Sequence, residues 1–313
     1  MKIIFMGTPD FAIPSLKKIL QSHHSIIAVV SARDKERGRG RRVSATPVKE
    51  FAVKEGIEIL TPFSLKDTDF INRLIELKPD LFIVVAFRIL PFEVYSIPEK
   101  GSFNLHGSLL PKYRGAAPIQ WALINGEKET GVTTFYLEDK VDTGNIIIQK
   151  KMAINDKDDF GVIHDKMMML GADVVMKTLD LIESGNVELK KQNEINASRA
   201  PKITKDICLI NWNKTTIEIY NLIRGLSPYP TAFFIHNDKN YKVFKSKIPG
   251  KEKLLLMNLQ SSDSSSTLNI FIQTKDEIYV KTSDGILQIL ELQPEGRNRM
   301  SAEEFLRGNT LLN

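Results

Sequence analysis

A single cysteine, Cys208, stands in a chain of 313 residues. It has no partner for an intramolecular disulfide, and no cysteine cluster exists to hold zinc. A reducing compartment is the expectation. Long apolar runs are also missing. The run at residues 3–6 turns at Gly7-Thr8-Pro9, too soon for a signal-peptide core, and no later run is long enough to span a membrane. A cytoplasmic protein without membrane contact follows. Glycines are lacking where a dinucleotide site needs them: Gly7-Thr8-Pro9-Asp10 offers one where the phosphate cradle uses three, which disfavours a nicotinamide oxidoreductase. Arg37-Gly38-Arg39-Gly40-Arg41-Arg42 has no strand before it and no Lys-Ser/Thr ending, so it is not a P-loop. His23, His24, His164 and His236 stand without partners at metal-ligand spacing, and no metal is expected.

What is present is an ordinary globular composition, 42% hydrophobic and 26% charged. At roughly 100–200 residues per domain, the length favours two domains. The formal charge is +5, and it is concentrated. Residues 33–42 carry net +4, as do residues 189–205, so the remainder is net negative. Two local positive segments suggest a polyanion as partner, against the plain alternative of two solvated loops. Alternating glycine and arginine at 37–42 reads as a mobile, positive loop suited to phosphates.

The first half alternates buried-strand and helical patterns. Strands are predicted at 2–6, 26–31, 57–60, 81–86 and 102–105, with helices at 11–21, 46–55, 68–77 and 118–125. Thr46 is placed to cap its helix, with Pro47 in the first position. Strands at 129–136 and 146–152 and a long helix at 160–183 complete this half. Continuous apolar strands separated by helices imply a Rossmann-like, doubly wound, mostly parallel sheet covered on both faces. The pattern vanishes over 189–205, where Ala200-Pro201 interrupts a polar, basic run that reads as a linker. A helix at 215–226 and strands at 231–235, 242–247, 267–272, 277–281 and 286–292 then suggest a small, OB-like β-barrel. A last helix at 301–306 has Ser301 as cap and Glu304 at its third position. The expected division is therefore 1–188, a linker at 189–205, and 206–313.

One spacing carries chemistry. Asn104 and His106 are two apart at the end of a predicted strand, so both face one side. That edge is where open α/β sheets bind ligands. Asn offers an amide donor, and His a donor or a base. Asp142, in Asp142-Thr143-Gly144, is suited to orient or charge the imidazole. By spacing alone this supports a pocket with an oxyanion-type role. A non-catalytic RNA-binding protein on the same scaffold stays open at this point, although RNA binding needs no such set.

The run Asn104-Leu105-His106-Gly107-Ser108-Leu109-Leu110-Pro111-Lys112-Tyr113-Arg114-Gly115-Ala116-Ala117-Pro118-Ile119-Gln120 resembles the signature of the methionyl-tRNA formyltransferase family. The resemblance extends to Gly7-Thr8-Pro9-Asp10-Phe11, Asp142-Thr143-Gly144, Ala200-Pro201-Lys202-Ile203 and Leu292-Gln293-Pro294. Sister enzymes that formylate glycinamide ribonucleotide or amino sugars share the Asn-x-His core, but not the basic insert together with the C-terminal half. The resemblance implies formyl transfer from 10-formyltetrahydrofolate to initiator methionyl-tRNA, by a monomer. It implies catalytic roles for Asn104, His106 and Asp142. It implies folate contacts at Ser108, Leu109, Leu110 and Pro111, and at Ile89 and Leu90. It implies tRNA contacts at Arg37, Arg39, Arg41 and Arg42 and at Lys202 and Lys205, with a C-terminal tRNA-binding barrel. The chain departs from the family pattern twice. Ala32-Arg33-Asp34-Lys35-Glu36 lacks the prolines that usually precede the glycines of the basic loop. Ala86-Phe87-Arg88-Ile89-Leu90-Pro91 is one residue short and lacks a glycine.

Overall fold

The computed structural model describes residues 1–37, 42–250 and 270–312. Two units emerge. One comprises Met1–Pro118, Glu129–Ala153 and His164–Pro201; the other comprises Ile119–Lys128, Ile154–Ile163 and Lys202–Asn313.

The first half begins with β1 (Lys2–Gly7), α1 (Ile13–Leu20), β2 (Ser25–Val30), β3 (Lys35–Arg37), β4 (Arg42–Ser44), α2 (Pro47–Lys54) and β5 (Ile59–Leu60). It continues with α3 (Thr68–Glu76), β6 (Leu81–Val85), α4 (Phe92–Tyr95), β7 (Ser102–His106) and β8 (Arg114–Gly115). Then come α5 (Pro118–Ile124), β9 (Glu129–Tyr136), β10 (Ile146–Ala153), α6 (Phe160–Ser184) and β11 (Arg199–Ala200). A seven-stranded sheet runs in the order β10-β9-β7-β6-β1-β2-β5. The five strands from β7 to β5 are parallel, while β9 and β10 are antiparallel additions at the other end. This is the mostly parallel architecture expected of strands buried on both faces. Alternation distributes the faces. Ile4, Met6, Phe82 and Val84 pack with Phe70 and Leu74 of α3. Leu105 of β7 instead meets Gly171 of α6, where a Cβ would stand 2.7 Å from a leucine methyl. That close approach fixes the helix against the strand carrying the candidate site.

Local chemistry sets the helix starts. Thr46 accepts from the Lys49 amide with Pro47 in the first turn, and Asp67 accepts from the Asp69 and Phe70 amides. The helix predicted from residue 11 opens instead as a 3-10 turn, Asp10–Ala12, and becomes α-helical at Ile13, with Pro14 in the first turn where it needs no N–H partner. The predicted strand 57–60 shortens to its last two residues, which pair only at the sheet edge.

Two segments read as irregular have structure. β3 and β4 pair antiparallel, with Lys35 opposite Ser44, Glu36 opposite Val43 and Arg37 opposite Arg42. The mobile loop expected over 37–42 is thus flanked by a ladder. Its base is anchored by the Lys49–Asp34 ion pair at 2.8 Å and by Arg33 stacked 5.6 Å from the Phe63 ring centroid. Arg39 and Arg41 lie outside the described residues, as does the start of the strand predicted at 267–272. The segment expected as a linker bonds back as well. Lys190 bridges Ile146 by hydrogen bonds of 2.8 and 2.9 Å, and β11 pairs with β8.

The second unit adds α7 (Lys205–Cys208), α8 (Thr216–Leu226), β12 (Ala232–His236), β13 (Lys239–Lys247), β14 (Phe271–Gln273), β15 (Ile278–Lys281), β16 (Ile286–Pro294), β17 (Met300–Ser301) and α9 (Ala302–Leu306). Among the described residues the strands form an antiparallel half-barrel, order β12-β13-β16-β15-β14, with β17 on β16. Register shifts between Val243 and Ser246 let β13 bend. Ile219, Ile223 and Leu226 of α8 fill its concave core with Phe234, Val243, Leu292 and Phe305. α9 opens on the predicted cap as a complete capping box, Ser301 with Glu304, and α8 opens on another, Thr215 with Glu218.

Candidate active site

β7 lies between β6 and β9 and delivers Asn104 and His106 at the C-terminal edge of the parallel strands. His106 is buried, at 5% exposure, while Asn104 is half-buried. The Asn104 side-chain amide has no hydrogen-bond partner among the described residues. The His106 ring is held firmly. Its Nε2 lies 2.8 Å from the Tyr113 carbonyl. A carbonyl only accepts, so this nitrogen carries the proton. Nδ1 faces Oδ2 of Asp142 at 3.8 Å. Phe135 of β9 closes one side edge-on, at 6.5 Å between ring centroids.

Asp142 sits on the loop joining β9 to β10, with a left-handed φ of 56°. Aspartate tolerates that region better than most residues. Its Oδ2 accepts from the Gly115 amide at 2.8 Å. Gly115 has φ 127°, and a Cβ there would stand 2.6 Å from the Ala200 carbonyl oxygen. Only glycine lets β8 approach β11 so closely and still point its N–H at the carboxylate. The structure therefore brings Asn104, His106 and Asp142 to one edge and adds Tyr113 and Gly115 to their setting.

The tetrapeptide 108–111 is a fixed turn. Its four carbonyls accept, in order, from the Thr133 hydroxyl at 2.7 Å, the Lys112 amide at 3.1 Å, the Gln149 side chain at 2.8 Å and the Ser198 amide at 3.3 Å. The Ser108 side chain is fully buried, with its hydroxyl donating to the Lys112 carbonyl at 2.6 Å. Leu110 is buried with Phe135 and Ile146. Surface is left on Leu109 and Pro111, both half-buried. In the 86–91 segment Leu90 is likewise buried in the core, whereas Ile89 is 72% exposed. Arg88, in this segment that lacks a glycine, donates to the Pro62 and Phe63 carbonyls, each at 3.2 Å, and stacks on Phe87. Burial pushes its guanidinium below the ordinary value.

Beside Gly115 opens a groove of about 520 Å³, bordered by Arg114, Val141, Glu194, Arg199 and Pro201. Arg114 is tied to Gln192 and to Glu194, the latter at 2.8 Å. Its hydrogen bonds hold the Glu194 carboxyl below the usual carboxylate range. Lys202 and Lys205 are exposed, with Lys205 stacked 6.0 Å from the Phe233 ring centroid. The backbones of Arg37 and Arg42 form the last rung of the β3–β4 ladder. His23 and His24, read as isolated, meet Glu183, with ligand atoms within 4.8 Å of one another. The Met1 amine already lies 3.4 Å from Nδ1 of His24 and 3.8 Å from Glu183, so this group is an occupied charge cluster.

Sequence reasoning missed Tyr113, Gly115, Thr133, Gln149 and Gln192. Of these only Tyr113 and Gly115 carried a signal, since both stand inside the motif at 104–120.

Residues 1–179 match the formyl transferase family model, and residues 202–310 match the model for the formyl transferase C-terminal domain. A methionyl-tRNA formyltransferase of Flavobacterium psychrophilum is 45% identical over 99% of this chain and 96% of its own length. That of Caldanaerobacter subterraneus is 42% identical over 99% of this chain and 98% of its own. Among solved structures, an N-formyltransferase from Helicobacter canadensis, in complex with folinic acid and dTDP-3-aminofucose, is similar with a TM-score of 0.67 at 25% identity. The match covers 92% of this chain and 98% of that one. Matched by such relatives over 99% of its length and by a family model in each half, the chain belongs to the methionyl-tRNA formyltransferase family.

Proposed function

We propose that Asn104, His106 and Asp142 carry out formyl transfer to the α-amine of initiator methionyl-tRNA, with 10-formyltetrahydrofolate as donor. The observation that carries this reading is the His106–Asp142 pair at 3.8 Å on the sheet edge that also bears Asn104, whose side-chain amide has no hydrogen-bond partner among the described residues. The bound folate supplies the formyl group on a nitrogen. The residues present fit it: Leu109, Pro111 and Ile89 leave apolar surface open on the segments that follow β7 and β6, the strands at whose C-terminal edge Asn104 stands. Ser108, Leu110 and Leu90 act differently, from inside, by shaping the turn and the wall.

The acceptor amine attacks the formyl carbon directly, so no enzyme nucleophile is required. A free α-amine has a pKa of about 7.7–8.0, and its esterification to tRNA lowers this. Asn104 donates to the formyl oxygen, where negative charge develops. Of the two roles open to His106, donor or base, the first is taken up, because its Nε2–H is already engaged by the Tyr113 carbonyl. Its Nδ1 lone pair is the group left to act: it takes the proton of the attacking amine and returns it to the folate nitrogen as the bond from that nitrogen to the formyl carbon breaks, which releases tetrahydrofolate. The ring is then hydrogen-bonded by the Tyr113 carbonyl on one nitrogen and faced by the Asp142 carboxylate on the other.

The groove beside Gly115 admits the aminoacylated end. The basic residues Arg37, Arg39, Arg41 and Arg42, with Lys202 and Lys205, neutralise tRNA phosphates. In this reading residues 1–188 are catalytic, the basic 189–205 segment connects, and 206–313 holds the tRNA. No helix among the described residues is long and apolar enough to cross a membrane. The enzyme is read as a cytoplasmic monomer, testable by fractionation and by sedimentation.

Formyl transfer from 10-formyltetrahydrofolate is to be measured with charged initiator tRNA, free methionine, an amino-sugar nucleotide and glycinamide ribonucleotide as acceptors. The charged tRNA should be preferred by orders of magnitude. Equal or better transfer to any small acceptor would sink the reading.

A further inference from the structure

Gln192 lies in a basic segment whose composition suggests only a surface connector, yet it is 5% exposed. Its amide is saturated. Oε1 accepts from Nε of Arg114 at 3.1 Å and from Nη2 at 2.8 Å. Nε2 donates to the Asp142 carbonyl at 2.9 Å and to the Gly144 carbonyl at 2.8 Å. Arginine only donates and carbonyls only accept, so the amide has one possible orientation. The residues around it are themselves pinned. Lys190 bridges Ile146, Ser198 binds the Tyr113 and Arg114 amides at 2.9 Å each, and β11 pairs with β8.

The target of this amide is the loop that carries Asp142. That loop holds a left-handed residue, and at Gly144 a Cβ would stand 1.7 Å from the Tyr136 carbonyl oxygen. A further tie comes from Tyr95, whose hydroxyl donates to Asp139 at 2.6 Å. The catalytic end of the loop is gripped at two points, by Gly115 on the carboxylate and by Gln192 on the backbone behind it.

We propose that Gln192 is a positioning residue of the active site, which sets the Asp142 carboxylate against His106 without touching substrate, and that Arg114 orients it. The proposal rests on the reading of Asp142 as catalytic. A misplacement of about 1 Å in a catalytic group can cost about 10²-fold in rate.

The test is single-turnover formyl transfer by Gln192→Glu, Gln192→Met, Asp142→Asn and the double variant Gln192→Glu/Asp142→Asn. Formyl-folate affinity and unfolding midpoint are recorded for each. Gln192→Glu keeps the acceptor toward Arg114 but puts an oxygen where two carbonyls need a donor. Gln192→Met keeps the volume and supplies neither partner. Each single change at 192 should slow transfer about 10- to 100-fold with folate affinity unchanged. The double variant should be no slower than Asp142→Asn alone, within about threefold. A near-normal rate in Gln192→Glu, or a double variant as slow as the product of its singles, would overturn the proposal. So would loss of the native fold in both variants at 192, which would make the residue purely architectural. If Asp142→Asn itself is fast, it is the reading of Asp142 that falls, a result distinct from a slow Asp142→Asn beside a fast Gln192→Glu.

Discussion

Nδ1 of His106 and Oδ2 of Asp142 face each other at 3.8 Å, too far for a direct hydrogen bond and close enough for the charge of one to act on the other. Oδ2 makes its short contact, 2.8 Å, to the Gly115 amide. Asp142→Asn preserves size and a tolerance for left-handed backbone while removing the charge. It should slow single-turnover transfer about 10²-fold or more, the scale of a missing proton-transfer partner. Folate affinity should hold. A rate within a few fold of the unmodified enzyme would remove Asp142 from the mechanism.

Asn104→Ala removes the amide that no described residue engages. Because the loss falls on charge that develops only during reaction, kcat should drop about 10²–10³-fold with little change in either KM. A large rise in folate KM at normal kcat would make Asn104 a ground-state binding residue instead.

Arg88→Gly puts a glycine back into a segment that is still one residue short. It also strips two carbonyls, of Pro62 and Phe63, of their donors. At about 0.5–1.5 kcal/mol per hydrogen bond, the wall bearing exposed Ile89 should loosen. The expected outcome is a several-fold weaker Kd for a folate analogue, read by fluorescence or calorimetry, with tRNA KM unaffected. An unchanged Kd would separate this wall from the folate site.

Neutralising Arg37, Arg39, Arg41 and Arg42, or Lys202 and Lys205, should raise the KM for tRNA and flatten its salt dependence. For every phosphate that is no longer neutralised, the slope of log affinity on log salt should fall by about 0.7–0.9. The folate KM should vary little with salt. Equal salt slopes for both substrates would argue against a phosphate-binding role for these side chains.

The capping box of α8 predicts an acid-limb effect. The Thr215 hydroxyl and amide, together with Lys214, hold the Glu218 carboxyl down to about 2. A depressed carboxylate stabilises the fold fully above its unfolded pKa, about 4.3, and that contribution is lost as pH falls through about 2. Hydrogen exchange in the first turn of α8 should therefore accelerate between about pH 4.5 and 2, and Glu218→Gln should abolish that pH dependence. Thr215→Ala should cost about 1 kcal/mol of local stability at neutral pH.

Local chemistry was legible and long-range pairing was not. The strand Glu129–Tyr136 and the caps at Thr46 and Ser301 match expectation, because alternation and capping depend on neighbours a few residues apart. Asn104 and His106 were placed together by the period of a strand. Gln192 could not be placed, since its partners Arg114 and Asp142 are 78 and 50 residues away and its own neighbourhood is polar and aperiodic. The β8–β11 pairing spans two residues on each side, too short for any periodic signal. Ser108 and Leu110 sit in the motif as expected but face inward, a distinction that only the fold can make.

The bonding of residues 190–200 bears on how such an enzyme can be taken apart. Hydrophobic periodicity stops near residue 184, and a cut after 188 would keep Asn104, His106, Asp142 and every strand of the seven-stranded sheet. That fragment would nonetheless leave behind Gln192 and the β11 partner of β8. Grafting a different C-terminal half from a relative, or splitting the enzyme for complementation, therefore requires a joint after Pro201. Upstream of it, the apparent tether is part of what any transplanted catalytic module must bring with it.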